Sequence, residues 1–351
     1  MSGTRLSLIA ALSIAFALLT SAAAAFMTGT FIAKWGSSGT ADGQLDTPQG
    51  IAVNGDVYVA DFFNNRVQRF TSAGVFIAKW GSEQIGEGNF VPVDLAVDSQ
   101  GNLYVVEGFN HRIQKLTSGG VLLLQWGSLG AEEGQFTGPR GIAVDSQNNV
   151  YVVDTLNHRI QKFSSEGTFL TKWGSLGSDD GEFSIPQGIA VDAEDNLYIA
   201  DTGNHRIQRF SSEGAFLTKW GAFGSDDGLF NAPRGVTVDG QGDVYVAELF
   251  NHRIQKFTSE GTFLTAWGSF GSDEGQFDRP SYLAADGHGR IYVTDSQNHR
   301  VQVFASGEDS LPIPAVPGLT QLAMGALALL LIVVTWLALT RNKQPLGSLS
   351  A

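Results

Sequence analysis

Pro186-Gln187-Gly188-Ile189-Ala190-Val191-Asp192, then Asn196-Leu197-Tyr198-Ile199-Ala200-Asp201, then Asn204-His205-Arg206-Ile207-Gln208-Arg209-Phe210, then Ala215-Phe216-Leu217-Thr218-Lys219-Trp220-Gly221, decide the fold of this 351-residue chain. Residues 188–192 form a short apolar run after a proline, which reads as a buried strand. Asp195-Asn196 is turn chemistry, and residues 197–201 are a second β-rich run. Thr202-Gly203-Asn204 turns the chain again. From Arg206 to Phe210 polar and apolar residues alternate, as on a half-buried strand, and residues 215–220 make a fourth.

The same unit recurs along the chain. Trp-Gly stands at Trp35, Trp80, Trp126, Trp173, Trp220 and Trp267, at spacings of 45, 46, 47, 47 and 47 residues. An Asn-(His/Asn)-Arg triplet ends at Arg66, Arg112, Arg159, Arg206, Arg253 and Arg300. A period of this length marks an array of small units that bury their faces against one another. Six units of four antiparallel strands predict an all-β fold, a six-bladed β-propeller. The array begins with a lone fourth strand, residues 30–35, and ends with a three-strand unit, residues 280–304. The first strand is therefore expected to complete the last blade and close the ring.

Composition bounds the rest. The 43 glycines suit many tight turns, and the absence of cysteine excludes disulfides, thiolate metal sites and a cysteine nucleophile. A formal net charge of −13 opposes a phosphate backbone, so no nucleic-acid partner is expected. Residues 1–25 combine Arg5, an apolar run and small residues, the pattern of a secretory signal peptide. The repeats occupy 26–304. A proline-rich spacer follows over 305–317, then an apolar segment over 318–340, long enough to span a bilayer, and a basic tail over 341–351. The expectation is an exported, monomeric propeller anchored at the membrane by its C-terminal helix.

The Pro-x-Gly-Ile-Ala-Val-Asp and Tyr-Val-x-Asp-x-x-Asn-His-Arg-Ile-Gln-x-Phe patterns resemble the NHL repeat, over residues 30–304. The C-terminal segment resembles bacterial PEP-CTERM and IPTL-CTERM sorting signals, which implies cleavage and transfer to the envelope or surface as the alternative to a retained anchor.

Features present in every copy are expected to be structural. An acid ends each second strand (Asp61, Glu107, Asp154, Asp201, Glu248, Asp295) five residues before the triplet arginine, placed for a hydrogen-bonded ion pair. His111, His158, His205, His252 and His299 share one repeat position and lie too far apart to hold one metal ion, so packing between blades is expected. The tryptophans read as wedges between blades. The acidic loops at 177–181, 224–228 and 271–275 read as solvated turns; their spacing matches no calcium loop.

Function is expected where the copies disagree. The channel mouth takes the residue after each blade-opening proline: Gln49, Val93, Arg140, Gln187, Arg234 and Ser281. Asp94 and Tyr282 break the following glycine position. These make Gln49, Asp94, Arg140, Gln187, Arg234 and Tyr282 a candidate ligand site, with Arg140 and Arg234 able to hold an anion. Phe62, Phe63, Phe109, Leu249 and Phe250 in the loops between second and third strands make a candidate apolar partner patch. The resemblance also implies enzymes to compare: peptide-amidating lyases with zinc histidines after the blade-opening proline, and lactonases with calcium in the channel. Neither ligand set is present at those positions here. The expectation is thus a non-catalytic domain binding a protein, peptide or glycan, without metal or cofactor; the alternative is a propeller lyase or lactonase-like hydrolase with a channel metal.

Overall fold

The computed structural model describes residues 28–81 and 90–307. They form six four-stranded antiparallel sheets, five of them running in chain order from the channel outwards and the sixth taking its outermost strand from the start of the chain. The first blade is Pro48–Asn54, Asp56–Asp61, Arg66–Phe70 and Phe76–Gly81. The quoted unit folds as read, into Ile189–Val191, Leu197–Asp201, Arg206–Phe210 and Phe216–Trp220, with Asp201 opposite Arg206.

The ring closes as the repeat count requires. Phe31–Trp35 is the outer strand of the blade formed by Pro280–Ala285, Arg290–Asp295 and Arg300–Ala305. Its register sets Phe31 opposite Phe304 and Trp35 opposite Val301. The Thr28 hydroxyl donates to the Ser306 carbonyl at 2.8 Å and the Gly29 N–H to the Ala305 carbonyl at 2.8 Å.

Apolar burial lies between blades. One cluster joins Tyr198, Ala200 and Ile207 of the fourth blade to Phe230, Val236, Val246 and Phe257 of the fifth, and five others repeat the arrangement around the ring. A blade alone thus has no core, which is why the units occur as an array. Each Trp-Gly tryptophan lies under the outer hairpin of the next blade, as expected of a wedge. Gly214 holds φ at +85°, and a Cβ there would sit 2.7 Å from the Trp173 ring. Gly214→Ala therefore combines left-handed strain with overpacking and is expected to cost about 2–4 kcal/mol. Gly228→Ala, with φ +80° and open space around it, should cost only the strain, about 1–2 kcal/mol. Denaturant midpoints of the two variants check this; equal losses would rule out the wedge contact.

The triplet motif is structural in all three of its residues. The Arg206 Nε donates to Asp201 at 2.7 Å, and its outer nitrogens donate to the carbonyls of Ser178, Asp179 and Glu182 in the preceding long loop. Asn204 ties the same loop through the Gly177 carbonyl. His205 is left-handed (φ 54°), and its Nδ1 accepts the Ala232 N–H of the next blade at 3.1 Å. His111, His158, His252 and His299 repeat that contact. These motifs hold the long loops in place and so shape the face on which the channel opens.

Among the described residues no helix is long and apolar enough to cross a membrane. The leader over 1–25, the apolar segment over 318–340, the tail over 341–351 and most of the 305–317 spacer lie outside the described residues.

Candidate functional site

The loop face carries a pocket of about 550 Å³ at the channel mouth. Three layers build it. The residues after the blade-opening prolines supply Gln49, Val93, Arg140, Gln187 and Arg234. The loops between second and third strands supply Phe62, Gly108, Phe109, Thr155, Leu156 and Leu249. The segments just before the prolines add Gly138 and Ile185. Blade six contributes none of the lining, so the pocket is asymmetric although the scaffold is not.

Four of the six candidate ligand-site residues, Gln49, Arg140, Gln187 and Arg234, are thus brought together. Asp94 and Tyr282 are placed differently from the sequence reading. Both are buried one layer below the mouth, and both line a small channel void of about 140 Å³. The glycine layer explains the depth. At Gly188 a Cβ would meet the Arg234 carbonyl at 2.2 Å, so neighbouring inner strands nearly touch there. Asp94 and Tyr282 are the side chains that fill this level.

The apolar patch divides. Phe62 and Phe63 pack with centroids 4.9 Å apart, and Phe62 and Phe109 at 6.0 Å. Phe62, Phe109 and Leu249 line the pocket; Phe63, 62% exposed, stands outside it against Phe62. Phe250 is exposed and makes no ring contact with the other three among the described residues. Three of the five residues therefore line the pocket, Phe63 stands against one of them, and Phe250 lies apart.

Electrostatics below the mouth are unusual. Arg234 is buried, lies 5.5 Å from the Tyr282 ring centroid and donates through Nη2 to the Gln49 Oε1. Burial, reinforced by the Arg140 charge, holds the guanidinium below the usual arginine range. Burial likewise pushes the Asp94 carboxyl well above the ordinary carboxylate range, against the N–H groups of Leu95 and Ile142 that it accepts. It also pushes the Tyr282 hydroxyl up to about 12. The Arg234 Nε, the Tyr282 and Ser281 hydroxyls and the Thr155 hydroxyl are buried without hydrogen-bond partners.

Sequence reasoning missed Thr294 and Ile185. Thr294 replaces the Ala or Val found there in the other blades, and its hydroxyl donates to the Gln49 carbonyl at 2.6 Å, fixing the residue that receives Arg234. A polar residue in one copy of an apolar repeat position was the available signal. Ile185 has left-handed φ (49°), held by its N–H bond to His158 Nδ1 at 3.1 Å, and presents its side chain to the pocket. No sequence signal marks an isoleucine for that conformation.

A divalent cation does not fit this donor set. Among the described residues, Asp94 is the carboxylate lining the channel void, with Arg234 acting on it, and no three His, Asp or Glu side chains converge. The acidic loops are in part neutralised by lysines of the outer strands, as in Lys219–Asp180 at 2.6 Å and Lys34–Glu274 at 3.5 Å.

Residues 45–70, 230–257 and 277–304 match the NHL repeat, and residues 81–222 match the SMP-30/gluconolactonase/LRE-like region. The chain is an NHL-repeat six-bladed β-propeller. No curated protein matches it. Among solved structures it is similar to a streptogramin B lyase, at 18% identity over 79% of this chain and 88% of that one, TM-score 0.55. A gluconolactonase from Xanthomonas campestris matches at 16% identity over 79% and 88%, TM-score 0.55. A structural-genomics protein of unknown function from Bacteroides thetaiotaomicron matches at 20% over 78% and 76%, TM-score 0.60. At these identities the NHL propeller shares the fold of these proteins. The expectation that the chain is not an enzyme is nevertheless overturned. The gluconolactonase-like match and neighbours that are a lyase and a lactonase put catalysis within the range of this propeller. The exclusion rested on two borrowed ligand sets, and their absence rules out those two sites and no others.

Proposed function

We propose that the loop-face pocket is the working site of this propeller and that it receives a compact organic molecule with an apolar body. The observation that carries this reading is the concavity itself. About 550 Å³ is the size of a small-ligand pocket, and Phe62, Phe109, Leu156, Ile185 and Leu249 wall it over a floor of Gln49, Arg140, Gln187 and Arg234. An apolar wall with a few convergent polar groups is the usual composition of such sites. The gluconolactonase-like match and the lyase neighbour support a small molecule over a large protein surface. The leader-like N-terminus supports a site that works outside the cytoplasm.

The neutral fluorophore N-phenyl-1-naphthylamine tests the pocket on the full-length chain. Phe109→Ser removes an aromatic wall and should weaken probe binding about tenfold or more. Phe250→Ser, outside the pocket, should leave it unchanged. The comparison is between variants, so any uptake by the flanking apolar segments cancels. Equal probe affinity in both variants would refute the reading.

A further inference from the structure

The five buried arginines among the described residues are Arg66, Arg159, Arg206, Arg234 and Arg300. Four of them hold a carboxylate at 2.6–2.7 Å. Arg234 has none within ion-pair distance among the described residues. Its protein partners are neutral, the Gln49 amide and the Tyr282 ring over which it lies, and its Nε is left unpaired. The Asp94 carboxyl acts on it electrostatically, yet burial favours the neutral carboxyl there. Arg140 lines the same pocket, also has no carboxylate partner among the described residues, and adds a second positive charge beside the first. A buried guanidinium left without a counter-charge is expensive, and this protein otherwise supplies one every time.

The surroundings restrict what completes the pair. Thr155 lines the pocket with a buried, unpartnered hydroxyl. Of the remaining lining, Phe62, Val93, Phe109, Leu156, Ile185 and Leu249 are apolar and Gln187 and His111 are polar, and the chain is acidic overall, with a net charge of −13. A polyanion would be repelled by that field and would find too few cations. A single anionic head on an apolar body meets every feature: the head takes the guanidinium groups, and the body takes the wall.

Resting on the pocket reading above, we infer that the ligand is an amphipathic organic acid, its single anionic head held by Arg234 and Arg140 and its apolar body laid on Phe62, Phe109 and Leu156. Both guanidinium groups present N–H donors to a planar or tetrahedral oxyanion, with the Thr155 hydroxyl as a further donor.

The test uses two matched probes on the full-length chain: 1-anilinonaphthalene-8-sulfonate, an apolar body with an anionic head, and N-phenyl-1-naphthylamine, the same body without it. The anionic probe should bind the parent at least tenfold more tightly than the neutral one. Arg234→Met should weaken the anionic probe about tenfold or more and change the neutral probe less than twofold. Its melting temperature should equal or exceed the parent's, because an unpaired buried charge has been replaced by an apolar side chain. Arg140→Gln, at a half-buried position, should act in the same direction on the same probe, which keeps the test decisive if Arg234→Met fails to fold. Equal binding of the two probes to the parent, or anionic-probe affinity unmoved in both arginine variants, overturns the inference. If Phe109→Ser still weakens both probes, the pocket reading survives that result. If neither probe binds, or neither responds to Phe109→Ser, the pocket reading falls with it.

Discussion

Removal of residues 28–36 leaves a chain without a cooperative thermal transition. The segment is one short strand, but it does three things at once. It covers the edge of Arg300–Ala305, pairing Phe31, Ala33, Lys34 and Trp35 with that strand. It places Gly29 against Trp267, where a Cβ would come within 2.8 Å, so it seals the junction between the fifth and sixth blades. It also supplies Trp35, whose ring lies 6.0 Å from Phe70 and 6.1 Å from Tyr292 and wedges the sixth blade against the first. Loss of a packed tryptophan alone costs about 3–5 kcal/mol, and whole domains have only about 5–15 kcal/mol. Adding the lost strand and the exposed edge exhausts that margin. Far-ultraviolet circular dichroism on heating and limited proteolysis measure the outcome. A truncated chain melting within a few degrees of the parent would show that the ring is held by other contacts.

Arg206→Ala is the point substitution with the largest expected loss, about 3–5 kcal/mol. The Asp201 carboxylate is fully buried and accepts bonds from the Ser184 N–H at 2.7 Å, Asn204 Nδ2 at 2.8 Å and Arg206 Nε at 2.7 Å. Removing the guanidinium takes the counter-charge from this carboxylate and frees the Ser178 and Asp179 carbonyls, while the Glu182 carbonyl keeps its bond from Gln208 Nε2. A domain of this size should lose on the order of 10 °C in melting temperature. The penalty has a pH signature. Even with their arginines in place, Asp295 and Glu248 are pushed up by burial. In the equivalent Arg300→Ala variant, Asp295 loses the guanidinium that holds its carboxyl down against burial, so its folded-state pKa should rise further above the ordinary unfolded value of about 3.9. A carboxyl raised in the folded state binds more protons there than in the unfolded chain, so stability falls as pH rises. The gap between variant and parent should therefore be smallest below about pH 4 and widen through the interval up to the raised pKa. A gap independent of pH would mean that the lost carbonyl bonds, and not the stranded charge, dominate.

Pro186 to Gly221 shows how much of the fold is local. Its strand boundaries, turns and the Asp201–Arg206 juxtaposition follow from alternation, turn residues and a five-residue separation, all readable within one copy. The wedge role of Trp173 was likewise legible, because an exposed tryptophan repeated six times has nowhere else to be buried than the next blade. The site was legible only in outline. Repeat asymmetry pointed to Gln49, Arg140, Gln187 and Arg234, and the pocket contains them. It also pointed to Asp94 and Tyr282 at the same level, where the close approach of inner strands at Gly188 and its equivalents sinks them below the mouth. The choice between binding and catalysis was drawn too narrowly, since absent zinc and calcium ligands speak only about zinc and calcium.

The sequence by itself determined the six-bladed ring and its closure by residues 30–35, because each of those statements depends on contacts inside one repeat or between adjacent repeats. The tertiary structure alone decided that Phe62, Phe109, Leu156 and Ile185 share a wall, that Thr294 fixes Gln49, and that Arg234 is buried without a carboxylate. Those relations join residues from different blades across the channel, where placement depends on the summed rotation of all six units and no local pattern records it.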